Sequence, residues 1–247
     1  MAIYVSWQPA MQHYLTPLIL GGLFGPAMCT LLMLIMSKNK KLWRDFFQRL
    51  KPDRINKKFI LFALFLFPCQ LLFAIFLSLF FGQPTNQFSI ITQSTDIALQ
   101  GINFLLTIFF IFLVGPFEEI GWRYANDLLR LKCNLLKTSL IFGVIWGLWH
   151  LPVFFVKNSA FQEIWAMGLL YTVVYFIDVI LLAIILNWFY FKNNRSILIA
   201  IMFHSAYDIC ISIFHITAVT WYILMLILLL TAILIVKKNK ELFFREG

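Results

Sequence analysis

Charge is scarce in this chain of 247 residues: Asp, Glu, Lys and Arg make up 13% of it, against about a quarter in a typical soluble domain. Apolar residues reach 62% and the mean hydropathy is +0.86. These values exclude a soluble globular protein and leave an integral membrane one. Cysteine is sparse as well. Cys29, Cys69 and Cys210 lie in apolar runs, Cys133 lies in a turn, and no CxxC pair exists, which argues against a disulfide framework and against a cysteine-ligated metal. Long polar stretches are nearly missing; residues 82–96 form the longest one outside the apolar runs, so no soluble domain is expected. Internal repeats and low-complexity tracts are lacking too.

What the chain does have is seven apolar runs, at 14–36, 59–81, 97–117, 138–155, 164–191, 197–214 and 218–236. Each is near the roughly 20 residues that cross a bilayer as a helix. The expected fold is therefore all-α: a polytopic transmembrane helix bundle of about seven spans, forming a single membrane domain over residues 1–247. The run at 164–191 is long enough to be broken, and the run at 197–214 is short. The first run has no basic segment before it and exceeds a signal-peptide core in length, so it is expected to be retained.

The net charge of +9 does not point to nucleic acid, because the basic residues are confined to particular loops. Nine lie from Lys38 to Lys58, four from Arg123 to Lys137, two at Lys192 and Arg195, and four from Lys237 to Arg245; the other side of the bundle holds Lys157 alone. By the positive-inside rule, the N-terminus is expected outside and the C-terminus in the cytoplasm. Within the basic segment 37–58, Trp43, Phe46, Phe47 and Leu50 recur at helical spacing while Lys40, Lys41, Arg44, Arg49 and Lys51 point elsewhere. That pattern predicts an interfacial amphipathic helix ending near Pro52. It reads first as a topology anchor, with lipid sensing or partner docking as the alternative.

Against this apolar background, Glu118 and Glu119 stand out, since an ionisable residue in apolar sequence is a functional-site candidate. Adjacent helix positions are about 100° apart, whereas positions four apart differ by about 40°. Glu119 is thus expected to pair with Arg123. Glu118 is left on a neighbouring face, in a low-dielectric setting suited to general acid/base work; a pair of solvated charges at a helix end is the equal alternative. A turn near 132–134 makes the third and fourth runs an antiparallel hairpin. Glu118 lies as far before Asn134 as His150 lies after it, so both reach a similar height. Gly115-Pro116 is expected to kink or loosen the helix and admit water.

His150 shares a helix face with Trp146, and alone it reads as a packing residue. His204 and Asp208, four apart, converge on one surface of the sixth run and alone read as a structural hydrogen bond. Burying all of these groups costs several kcal/mol unless partners or water compensate, which makes coincidence the weaker explanation. Asp178, near the middle of the fifth run, reads as a partner of Arg123 or as a cavity-lining group. His13 and His215 fall at run boundaries and receive no role.

The three elements in this order, Glu118-Glu119-x-x-x-Arg123, Trp146-x-x-x-His150 and His204-x-x-x-Asp208, resemble the CPBP family of CAAX-type and bacteriocin-processing membrane proteases, also called Abi proteins. The resemblance covers residues 97–215. Trp146 stands where the family often has Phe. Asp208 stands where prenyl-protein endopeptidases typically have Asn, which looks like the bacterial branch and counts against prenylated substrates.

The resemblance implies an intramembrane endopeptidase acting on membrane-associated peptides or proteins. In it, Glu118 and His150 activate a water, His204 and Asp208 stabilise the oxyanion, and Glu119, Arg123 and Trp146 support them. An ionised Asp208 would repel an oxyanion, so it must be protonated, hold His204 as imidazolium, or serve otherwise. No metal and no cofactor are implied; the alternative is a Zn ion on Glu118, His150, His204 and Asp208 that activates a bound water. The partners are then membrane lipid and a peptide or protein substrate, and the location is the cell membrane of a bacterium. Nothing in the sequence bears on oligomeric state. The competing reading is a bacteriocin immunity or scaffold protein of the same fold acting without proteolysis. A proton-coupled transporter ranks last, because no matched halves with paired broken helices are visible.

Overall fold

The computed structural model describes residues 1–90 and 101–246. Among them the structure is all-α, with no strand and one isolated bridge between Ile90 and Phe214. The bundle opens with a short α1 (Ala2–Ser6), then α2 (Leu15–Leu23) and α3 (Gly25–Ser37), which meet at a bend of 53°. It continues through α4 (Lys40–Arg49), α5 (Lys57–Leu79), α6 (Gly101–Arg130) and α7 (Leu135–His150). After these come α8 (Ala160–Ala166), α9 (Leu169–Lys192), α10 (Ile197–Ile213), α11 (Ala218–Lys238) and α12 (Lys240–Phe244).

Each of the seven apolar runs lies on helix, although the start of the third run and residues 91–96 of the loop before it fall outside the described residues. Among the described residues, four helices are long and apolar enough to cross a membrane, or five if the bent α2 and α3 form one span. α10, at 17 residues, is a shorter apolar helix. The long fifth run is broken at Met167 and Gly168 into α8 and α9.

Local chemistry explains the boundaries. Asn134 accepts a hydrogen bond from the Lys137 amide, Ser196 from Ile199, and Thr217 from Thr220, so α7, α10 and α11 each begin at a side-chain cap. The turn between α6 and α7 sits at Leu131–Asn134, which makes them the expected hairpin. α9 is the central helix: 67% of its apolar window is buried, against 33–39% for the other three long apolar helices. α7 and α11 pack along it, α10 packs on α6 and α5, and α3 packs on α6.

α6 runs through Gly115 and Pro116 as continuous helix, so the expected loosening there is not a break. What Gly115 supplies is close approach: a Cβ there would sit 2.6 Å from the Ser205 hydroxyl of α10. Gly121 does the same towards α3, where a Cβ would overlap the backbone of Pro26.

The predicted amphipathic helix is α4, with one correction. Arg49, read with the other basic residues as pointing away from the aromatic stripe, is 2% exposed. Its guanidinium pairs with Asp45, donates to Asp127 of α6 at 2.5 Å and to the Tyr190 hydroxyl of α9 at 2.9 Å, and lies over the Tyr124 ring. Arg195 reaches the same Asp127 at 2.5 Å. A charge taken out of water needs such partners, and they hold α4 against the bundle.

Candidate active site

Glu118 and Glu119 sit in the second half of α6, 2% and 0% exposed. Their side chains diverge as the helical angle requires. Glu119 Oε2 is 2.6 Å from Arg123 Nε one turn later, in an ion pair from which water is excluded. Arg123 also donates to Asn187 Oδ1 of α9 at 2.7 Å. Asn187 in turn donates to Asn126 Oδ1 at 2.8 Å and to the Ser139 hydroxyl at 3.0 Å, joining α6, α7 and α9.

The other carboxylate oxygen of Glu119, Oε1, faces His204 Nδ1 of α10 at 2.9 Å. Because Glu119 is fixed as a carboxylate by Arg123, Nδ1 is the donor. The remaining nitrogen, Nε2, points along α10 to Asp208 Oδ2 at 3.5 Å. That Asp208 oxygen is buried and has no hydrogen-bond partner among the described residues.

Glu118 turns towards α7. Its Oε2 accepts from the indole Nε1 of Trp146 at 2.7 Å and from that of Trp122 at 3.2 Å. Its Oε1 faces His150 Nε2 at 3.9 Å, too far for a direct hydrogen bond and suited to one bridging water. His150 Nδ1 lies 2.9 Å from the carbonyl oxygen of Trp146. A carbonyl can only accept, so Nδ1 carries the proton and Nε2 of the neutral ring offers a lone pair. Phe161 stacks on the imidazole, and the Trp146 ring meets His204 edge-on at 5.2 Å.

These groups line one cavity of about 620 Å³. Glu118, Trp146, His150, His204 and Asp208 all reach it, within walls of apolar side chains from α1, α2, α8, α9 and α11. The expected site residues thus come together, with Glu119 and Arg123 one layer behind. The four side chains weighed as zinc ligands do not form a metal-holding cluster: among the described residues no group of three or more His, Cys, Asp or Glu has that arrangement.

Asp178 corrects both readings given to it. It does not meet Arg123, whose partners are Glu119 and Asn187, and it is not among the residues lining the cavity. It is 2% exposed and accepts from the Trp221 indole of α11 at 2.6 Å, and Trp221 does line the cavity. Sequence reasoning also missed Trp122, Asn187, Asn126 and Ser139. Asn187 carried a usable signal, a lone amide in the apolar stretch 179–189, since a polar group there must find a partner.

Residues 100–210, which hold all three motifs, match the family described as Type II CAAX prenyl endopeptidase Rce1-like. The curated CAAX prenyl protease 2 of Methanococcus maripaludis is 34% identical over 248 residues, covering 98% of this chain and 89% of that protein. This chain belongs to the CAAX prenyl endopeptidase family of intramembrane proteases. As a member of the CAAX prenyl endopeptidase family it is a multi-pass membrane protein and a peptide hydrolase, an intramembrane endopeptidase. The matched segment spans most of α6 to α10, the helices that carry the carboxyl and imidazole groups lining the cavity.

Proposed function

We propose that this protein hydrolyses a peptide bond near the end of a membrane-associated protein, with Glu118 and His150 activating a water. The observation that carries the reading is the 3.9 Å gap between Glu118 Oε1 and His150 Nε2 at the cavity wall. A water in that gap donates one hydrogen to the carboxylate and one to the imidazole lone pair, which leaves an oxygen lone pair free to attack a carbonyl. The two indole donors on Glu118 Oε2 hold the carboxylate in place, and the Trp146 carbonyl holds the His150 tautomer.

His204 and Asp208 supply the oxyanion side. Flanked by the Glu119 and Asp208 carboxyl groups, His204 as an imidazolium donates from Nε2 to the developing oxyanion. Asp208 balances that charge from one helical turn away. Such preorganised donation in a water-poor site is worth roughly 10²–10³ in rate for a single donor. Metal-free hydrolysis is part of the proposal, and so is cytoplasmic placement of the C-terminus, in the cell membrane.

The substrate class proposed is a lipid-modified C-terminal peptide, because the curated relative is named a CAAX prenyl protease and the cavity walls here are apolar. Asp208, where prenyl-protein endopeptidases typically have Asn, makes an unmodified membrane peptide the competing substrate. The deciding experiment uses purified wild type and Glu118→Gln protein in detergent, each with and without chelator, on prenylated and unprenylated fluorogenic peptides. Glu118→Gln is expected to lower kcat by about 10²–10⁴ with an unchanged melting temperature, and chelator is expected to have no effect. Chelator loss restored by zinc overturns the metal-free chemistry. Cleavage at equal rates by wild type and variant overturns the assignment of Glu118, and cleavage by neither, on either peptide class, moves the protein to an immunity or scaffold role.

A further inference from the structure

α4 is bound to the bundle on one side and bare on the other. Its inner side carries Phe46, 4% exposed, and Arg49, locked to Asp127 and Tyr190. Its outer side carries Lys40, Arg44 and, just past its end, Lys51, all exposed, with no side-chain hydrogen bond or ion pair among the described residues. On the helical wheel Phe47 falls at the edge of this basic stripe, within about 60° of all three residues. It is 56% exposed and stacked on Trp43.

The helix also lies at a membrane boundary. It follows directly on apolar α3 and precedes apolar α5, so whichever leaflet receives the end of α3 also receives α4. An exposed aromatic beside clustered cations, at the level where two spans end, matches the chemistry of anionic headgroups: phosphate for the cations and the acyl boundary for the ring. The carboxylates of this segment do not oppose it. Asp45 is turned to Arg49, and Asp53 lies beyond the helix.

We propose that the outer ridge of α4 docks on anionic phospholipid headgroups of the membrane this protein spans, with Lys40, Arg44 and Lys51 on the phosphates and Phe47 seated beneath them. Arg49 gives this docking a rigid base, because lifting α4 would strand a buried guanidinium. It also connects the docked helix to α6 at Asp127, nine residues along from Glu118.

The test is independent of proteolysis. Intact protein in nanodiscs of phosphatidylcholine, with or without phosphatidylglycerol, is examined by hydrogen exchange over residues 40–51 and by native mass spectrometry of retained lipid. A cation at an anionic surface contributes about fivefold. Lys40→Gln/Arg44→Gln/Lys51→Gln, which leaves six basic residues in the segment, is therefore expected to reduce the preference for phosphatidylglycerol at least fivefold. Slower exchange of α4 in anionic discs is expected for wild type and not for the variant. Wild-type protein at high salt, where screening shortens to a few ångströms, is expected to lose the preference as well, an arm that needs no variant. Equal exchange in both disc types, or equal lipid retention by wild type and variant, overturns the proposal. Binding of an oligo-glutamate peptide to the ridge with no lipid preference overturns it in favour of an acidic protein partner.

Discussion

Arg123 is the largest fully buried side chain among the described residues, and replacing it by Met separates two roles of the site. The substitution keeps an unbranched apolar stem but leaves Glu119 a buried carboxylate without the Arg123 cation, and removes the donor from Asn187. Breaking a buried pair from one side costs about 3–5 kcal/mol. At roughly 2–4 °C per kcal/mol for a chain of this size, Arg123→Met is expected to melt about 6–20 °C below wild type. The assay is thermal unfolding in detergent followed by size-exclusion recovery. Glu119→Gln/Arg123→Met removes both charges and is expected to regain most of that loss, since a neutral pair of similar volume avoids the desolvation cost. Activity is not expected to return with stability, because His204 Nδ1 then loses the carboxylate that orients it. A single variant that melts within about 2 °C of wild type would refute the reasoning, as it would mean that Glu119 does not need Arg123.

Gly121→Ala places a methyl group into the Pro26 backbone and is expected to cost about 1–3 kcal/mol by forcing α3 from α6; an unchanged melting temperature would contradict that contact. Asp178→Asn keeps an acceptor for the Trp221 indole and is expected to preserve both stability and KM. Asp178→Leu leaves the buried indole N–H unpaired, at a cost of about 1–3 kcal/mol, and should raise KM because Trp221 lines the cavity. Equal melting temperatures and equal KM for the Asn and Leu variants would show that the 2.6 Å bond contributes nothing.

Much of the site was readable because helices are periodic. The four-residue spacing from Glu119 to Arg123 brings their charged ends together on any regular helix, and the structure has them 2.6 Å apart. The equal distance of Glu118 and His150 from the turn at Asn134 sets them at one height in any antiparallel hairpin, and they face each other at 3.9 Å. Helical spacing of Trp43, Phe46 and Leu50 likewise announced α4. Arg49 was legible only in part by the same logic. Its angle on the wheel, about 60° from Phe46 and about 140–180° from Lys40, Arg44 and Lys51, already set it apart from the exposed cations, but only Asp127 and Tyr190, 78 and 141 residues away, show what it is buried against.

By itself the sequence determined that the chain is a membrane helix bundle, which residues share a helix face, and which ionisable groups lie deep enough in apolar sequence to require partners. Those follow from composition and from 3.6 residues per turn, which are local properties. Only the tertiary structure decided who the partners are: Glu119 for His204 across 85 residues, Trp146 for Glu118, Asn187 for Arg123, and Trp221 for Asp178. Periodicity specifies the direction in which a side chain leaves its helix. What stands in that direction depends on which helices pack together, and on close approaches such as Gly115 against Ser205 and Gly121 against Pro26, which belong to the folded bundle and not to any one segment.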